Sequence, residues 1–152
     1  MKLAEALVLR ADVQKRVQQI KARLRQSAIV QEGDQPPEDP QALLTELDAL
    51  LTQLEDLIIR INQTNMRTAF ADGTLLTVAL ARRDVLDLRL STIADLAETA
   101  SNRIDRYGSA EIRKLATVDV AALRRQSDTL ARQRRELDTA IQATNWATDL
   151  VE

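Results

Sequence analysis

Apolar residues recur at alternating steps of three and four along most of this chain, a spacing that draws one stripe down an α-helix and obliges another helix to cover it. Between residues 2 and 30 the stripe reads Leu3, Ala6, Arg10, Val13, Val17, Ile20, Leu24 and Ser27. It resumes as Leu43, Leu47, Leu50, Leu54, Leu57 and Ile61, ending near Asn65. A third stripe runs Ala79, Arg83, Leu86, Leu90, Ile93, Ala97, Ala100 and Ile104. The fourth runs Leu123, Ser127, Leu130, Arg134, Leu137, Ile141 and Thr144, ending near Asp149. Phe70, Tyr107 and Trp146 are the only aromatic residues, so the core is one of aliphatic seams between long helices and not a compact aromatic interior.

The breaks between stripes are as informative as the stripes. Gln31-Glu32-Gly33-Asp34-Gln35-Pro36-Pro37 cannot continue a helix, whereas Asp39-Pro40 starts one: the carboxylate accepts from free amides, and proline has no amide to lose. Two helices of about 40 Å, at about 1.5 Å per residue, joined by so short a turn run antiparallel. Residues 67–76 place β-favouring side chains around Asp72-Gly73 and predict a small β-hairpin, with Thr77 capping the third helix. Tyr107-Gly108-Ser109 ends that helix, residues 111–118 fit either a short extended piece or an early helical turn, and Asp119 caps the fourth. The expected fold is all-α. Two antiparallel helical hairpins form a four-helix bundle or coiled-coil-like domain, with the β-ribbon at one end, and 152 residues make a single domain.

The hairpins share a frame. Leu3-x-x-Ala6-Leu7-x-x-Arg10 recurs as Leu76-x-x-Ala79-Leu80-x-x-Arg83, Asp39-x-x-Ala42-Leu43 as Asp119-x-x-Ala122-Leu123, and Ile61-x-x-Thr64-Asn65 as Ile141-x-x-Thr144-Asn145. Any two heptad helices agree at their leucines. The repeated arginine, aspartate and Thr-Asn pair are not heptad requirements and point to an internal duplication of 1–66 as 75–149.

Charge narrows the function classes. Lys and Arg number 21 against 23 Asp and Glu, so no whole-molecule field draws the chain to nucleic acid or anionic lipid. Residues 1–31 are mostly basic and residues 32–57 carry acids alone, which suits pairing between neighbouring helices. The arginines at 124, 125, 132, 134 and 135 lack interleaved aromatics and read as a solvated or helix-matching face, with no nucleic-acid partner. There is no cysteine and no histidine, hence no disulfide, no thiolate chemistry and no Glu-x-x-His element for a bundle metal site; neither metal nor cofactor is expected. Glu5 and Arg10 interrupt what a signal peptide would need as an apolar core, and no segment reaches the roughly 20 apolar residues of a membrane span. A cytoplasmic protein is expected.

An antiparallel hairpin sets the start of its first helix beside the end of its second, so Glu5, Arg10, Asn62, Asn65, Arg83, Asp84, Asn145 and Trp146 are expected to gather at one end, beneath the ribbon. Arg10 and Arg83 occupy seam positions where leucine would be the stabilising choice, and a desolvated guanidinium needs a partner. Glu5 and Asp84 are the nearest acids, with the three asparagine amides as further acceptors. Such a layer either fixes register and oligomer state or binds a small anion. Trp146 reads as a packing anchor at that end. Carboxylates without a nucleophile or histidine do not make a catalytic set, so no enzyme is expected.

The stretches MKLAEALVLRADVQKR, QEGDQPPEDP, INQTN, DG-TLLTVALARRDVL, VDVAALRRQ and IQATNWATDL make the chain resemble, over nearly its whole length, the small bacterial proteins labelled septicolysin. That label implies a cytolysin; no secured activity travels with it, so it assigns no residue a role. The leading expectation is a non-enzymatic cytoplasmic assembly or interaction protein that partners itself as a homo-oligomer. The alternative is a small-anion-binding protein with its site at the arginine-asparagine end, and the third reading is a lipid-active or pore-forming protein.

Overall fold

A computed structural model describes residues 1–101 and 115–152. Four helices follow in order: α1, Leu3–Ser27; α2, Pro40–Arg67; α3, Leu76–Ser101; and α4, Val120–Ala147. Every seam residue read from the sequence is buried or half-buried, apart from Ile104, which lies outside the described residues. Tyr107-Gly108-Ser109 and residues 111–114 also lie outside them.

Within the α1–α2 hairpin one buried row recurs at every seventh residue, Ala6, Val13, Ile20 and Ser27 on α1 and Leu43, Leu50, Leu57 and Thr64 on α2, with Leu3, Ala4 and Ile61 buried beside it at the end where α1 begins and α2 finishes. The alternate seam positions Val17, Leu24, Leu47 and Leu54 are half-buried. Two helices alone cover one edge of each stripe, which is why a strict heptad yields a single fully dry row. The turn between them is closed by Asp34 N–H donating to the Gln31 carbonyl at 3.0 Å, with Gly33 at φ +91° supplying the left-handed backbone that side chains avoid. Asp39 caps α2 as expected, its carboxylate accepting from Gln41 N–H at 3.0 Å.

The β-ribbon expected over 67–76 is not formed; the described residues contain no strand. Helix α2 continues through Arg67 and α3 already begins at Leu76, which places Thr77 inside the first helical turn and not at a cap. What remains is a tight loop. Phe70 N–H donates to the Thr74 carbonyl at 2.8 Å, Gly73 N–H to the Phe70 carbonyl at 2.9 Å, and Thr74 N–H to the Asp72 carboxylate at 2.9 Å. Gly73 sits at φ +81°. The Asp-Gly turn was legible, but it consumes the residues that strands would need, leaving one antiparallel bridge between Ala69 and Leu75.

The chain divides into two compact units, Met1–Leu75 with Ala143–Glu152, and Leu76–Gln142. In the second unit Arg134 Nε donates to Asp87 at 2.8 Å and Arg124 donates to the Ser101 hydroxyl at 3.2 Å, so later positions on α3 meet earlier ones on α4 and the two run antiparallel. The Asp87 carboxylate raises the Arg134 pKa above the ordinary arginine value, chiefly through this hydrogen bond. Asp119 caps α4 by accepting from Ala122 N–H at 3.0 Å.

Candidate functional site

Three chain ends are stitched together in the first unit. Leu3 N–H donates to the Thr148 carbonyl and Leu150 N–H to the Met1 carbonyl, both at 2.9 Å, forming an antiparallel bridge between Lys2 and Asp149. The Lys2 ammonium lies 2.8 Å from the Asp149 carboxylate and 3.4 Å from the Ala147 carbonyl. That ammonium holds the Asp149 carboxyl below the usual carboxylate range. Farther along the tail, Val151 N–H donates to the Thr64 hydroxyl at 3.1 Å while its carbonyl accepts from Arg60 Nε at 2.8 Å. Thr64 in turn donates to the Arg60 carbonyl at 2.7 Å, so a buried hydroxyl is fully used. The start of α1, the end of α2 and the tail after α4 thus share one pole.

This latch repeats the interhelix loop. Lys2 and Leu75 each stand just before the repeated Leu3 and Leu76, and Asp149 and Ala69 stand at the same distance after the repeated Asn145 and Asn65. The bonds correspond: Leu150 N–H to Met1 carbonyl matches Phe70 N–H to Thr74 carbonyl. Thr148 N–H to Thr144 carbonyl matches Thr68 N–H to Thr64 carbonyl, each at 3.0 Å.

Of the expected site residues, Glu5, Arg10, Asn62, Asn65, Asn145 and Trp146 belong to the first unit, and Arg83 and Asp84 to the second. Glu5 is exposed and accepts from Lys2 N–H at 2.7 Å, closing the first turn of α1; it is not a partner for Arg10. Arg10 is half-buried, and its buried Nε has no hydrogen-bond partner among the described residues. Arg83 pairs with its neighbour Asp84 at 3.0 Å, the only side-chain hydrogen-bonded pair within the set of eight. Asn145 is buried and Asn65 half-buried, whereas Asn62 faces solvent. Trp146 is 59% exposed, so it does not anchor the packing at this end. Among the residues that do the joining, Thr64 was singled out only as part of the repeated Thr-Asn pair, and Lys2, Arg60, Asp149 and Val151 went unread because the tail follows the last heptad and carries no periodic signal.

The chain belongs to the DUF6847 family. That family, whose function is unknown, matches over residues 10–150. A crystal structure of a functionally unknown conserved protein from Corynebacterium diphtheriae is similar at 44% identity and a TM-score of 0.94, covering 99% of each chain. No curated protein matches. The resemblance to septicolysin-labelled proteins finds no support in either likeness, and the family reading replaces it.

Grooves open on the described residues. One of about 490 Å³ is almost wholly apolar and lies along α3, lined by Val78, Ala81, Arg82, Val85, Leu86 and Arg89 with Leu137 of α4. A mixed one of about 510 Å³ runs between Ala97 and Ser101 on α3 and Arg124 and Asp128 on α4. Another, about 380 Å³, lies between Gln14, Val17 and Gln18 of α1 and Leu54 of α2. Neither Arg10 nor Arg83 lines any of these. Among the described residues no acidic cluster is placed to hold a metal ion, and no helix is long and apolar enough to cross a membrane.

Proposed function

We propose that this is a non-enzymatic assembly protein that works as a homo-oligomer built through helix faces. The observation that carries this reading is a second apolar stripe on α2, separate from the buried one: Leu44 and Leu51 are each 43% exposed and Ile58 is 37% exposed, at heptad spacing, with Leu47 and Leu54 half-buried beside them. An isolated exposed leucine is ordinary, but a row at seam spacing is what a partner helix covers. Light scattering on the eluting protein tests it: a defined oligomer at micromolar concentration is the expected result, and a monomer removes the assembly role.

Arg10 favours a second reading, a small anion held near the end of the first unit. Its buried Nε has no acceptor among the described residues, and an anionic oxygen is the chemistry that would satisfy it. Calorimetric titration with inorganic phosphate or sulfate tests this, with Arg10→Leu abolishing any heat seen with the unaltered protein.

A further inference from the structure

We infer that the acidic exposed face of α2 in one copy docks on the basic exposed face of α3 in a second copy. The inference rests on the assembly reading and names the surfaces that would carry it. On α2 the face reads Leu44-x-x-Leu47-Asp48-x-x-Leu51-x-x-Leu54-Glu55; on α3 it reads Val78-x-x-Ala81-Arg82-x-x-Val85-x-x-Leu88-Arg89. Apolar and charged positions coincide throughout, and the charges are opposite. At about 3.6 residues per turn, both patterns lay the charged pair along the same flank of the apolar row.

Both faces are largely open, with Leu47 and Leu54 of the α2 face half-buried in the α1–α2 seam. Val78 is 40%, Val85 56% and Leu88 68% exposed, and Asp48, Glu55, Arg82 and Arg89 are all exposed. The four charged side chains form no ion pair or hydrogen bond within the described residues, in contrast to charges beside the covered seams. Arg23 is held by Glu38 and lies 3.7 Å from Glu46 across the α1–α2 hairpin, and Arg134 is held by Asp87 across the α3–α4 pair. Arg23 and Arg134 are thus matched across covered seams, whereas the four charges on the open faces are unmatched but complementary to each other.

Shape and sign select the same pairing. The α2 row offers leucines, while the α3 row offers Val78, Ala81 and Val85 along a groove of about 490 Å³ with Leu88 beyond it, so along the groove large side chains meet smaller ones. Docking α2 on α2 would set Asp48 and Glu55 against themselves, and α3 on α3 would set arginine against arginine. An antiparallel α2–α3 docking brings Asp48 to Arg89 and Glu55 to Arg82, with Leu51 near Val85. The contact is heterologous, using different faces on the two copies.

Charge reversal and mixing test this. Asp48→Lys with Glu55→Lys, and separately Arg82→Glu with Arg89→Glu, are each expected to weaken self-association at least about tenfold. An equimolar mixture of the two variants is expected to re-form the oligomer with both present in equal number. The chain has no cysteine, so Leu51→Cys and Val85→Cys, made in separate proteins and mixed under oxidation, give a second measure that survives misfolding of a charge variant: a disulfide-linked heterodimer is expected. If the unaltered protein is monomeric, both the assembly reading and this inference fall. If it is oligomeric but the reversed variants stay assembled, or the mixed cysteines do not cross-link, only the face assignment falls.

Discussion

Val151 N–H donates across 3.1 Å to the hydroxyl of Thr64, a residue from the middle of the sequence that is 1% exposed. The contact ties the tail to α2 through a side chain that also satisfies its own helix. Thr64→Val keeps the volume and removes both bonds, leaving the Val151 amide without its acceptor. A loss of about 1–3 kcal/mol is expected in urea unfolding, together with faster amide exchange at Leu150 and Val151. Unchanged exchange at those amides would show that the tail is held by Leu150 burial, the backbone bonds to Met1 and Leu3, the Arg60 bond to the Val151 carbonyl and the Lys2–Asp149 pair without the Thr64 hydroxyl.

Ser27 sits at the last buried heptad position of α1, and its hydroxyl is buried without a hydrogen-bond partner. A dry unsatisfied hydroxyl costs free energy that a methyl group does not. Ser27→Ala is therefore expected to raise stability by roughly 1 kcal/mol, read as a higher urea midpoint with an unchanged slope. A destabilised variant would mean that the hydroxyl is satisfied in solution.

Glu38 accepts from Arg23 Nε at 2.8 Å, and the guanidinium holds the carboxyl below the usual glutamate range while raising the arginine's own value. A carboxyl depressed in the folded state adds stability above its unfolded pKa, about 4.3 for glutamate, and that stability is lost as pH falls through the lower folded value. Glu38→Gln should flatten the acid limb of the stability curve and change little at neutral pH beyond the pair itself. Both side chains are well solvated, so the pair should also weaken in high salt.

The helices and seams were legible because burial follows the three-four rhythm residue by residue, and because Asp39 and Asp119 announce their helices with a carboxylate at the cap. The ribbon was misread for a physical reason. Asp72-Gly73 specifies a turn whether or not strands flank it, and the β-favouring Thr and Phe residues beside it are taken up by helix ends and loop bonds. Of the expected site residues Asn145 is buried, but Glu5 serves the backbone and Trp146 faces outward, because a side chain's position on a helix says which face it takes and not what tail folds over that face.

The two caps allow the units to be addressed separately. Asp39→Ala removes the acceptor of Gln41 N–H in the first unit, and Asp119→Ala removes the acceptor of Ala122 N–H in the second. Each is expected to cost about 1 kcal/mol. If the units unfold independently, hydrogen exchange will quicken only in the unit whose cap was removed; exchange quickened equally in both would mean one cooperative block.

Arg10 separates the structural and ligand readings of the polar seam. Its Nε is dry and unpaired, so Arg10→Leu should leave stability equal or higher in the absence of ligand, since an apolar side chain fills the seam without an unsatisfied donor. If the arginine fixes register, the same variant changes the oligomer mass seen by light scattering. If it holds an anion, the mass stays constant and the stabilisation that phosphate gives the unaltered protein disappears. A variant that is less stable without ligand, by more than about 1 kcal/mol, would place Arg10 in an ion pair or hydrogen bond that contributes to the folded chain itself.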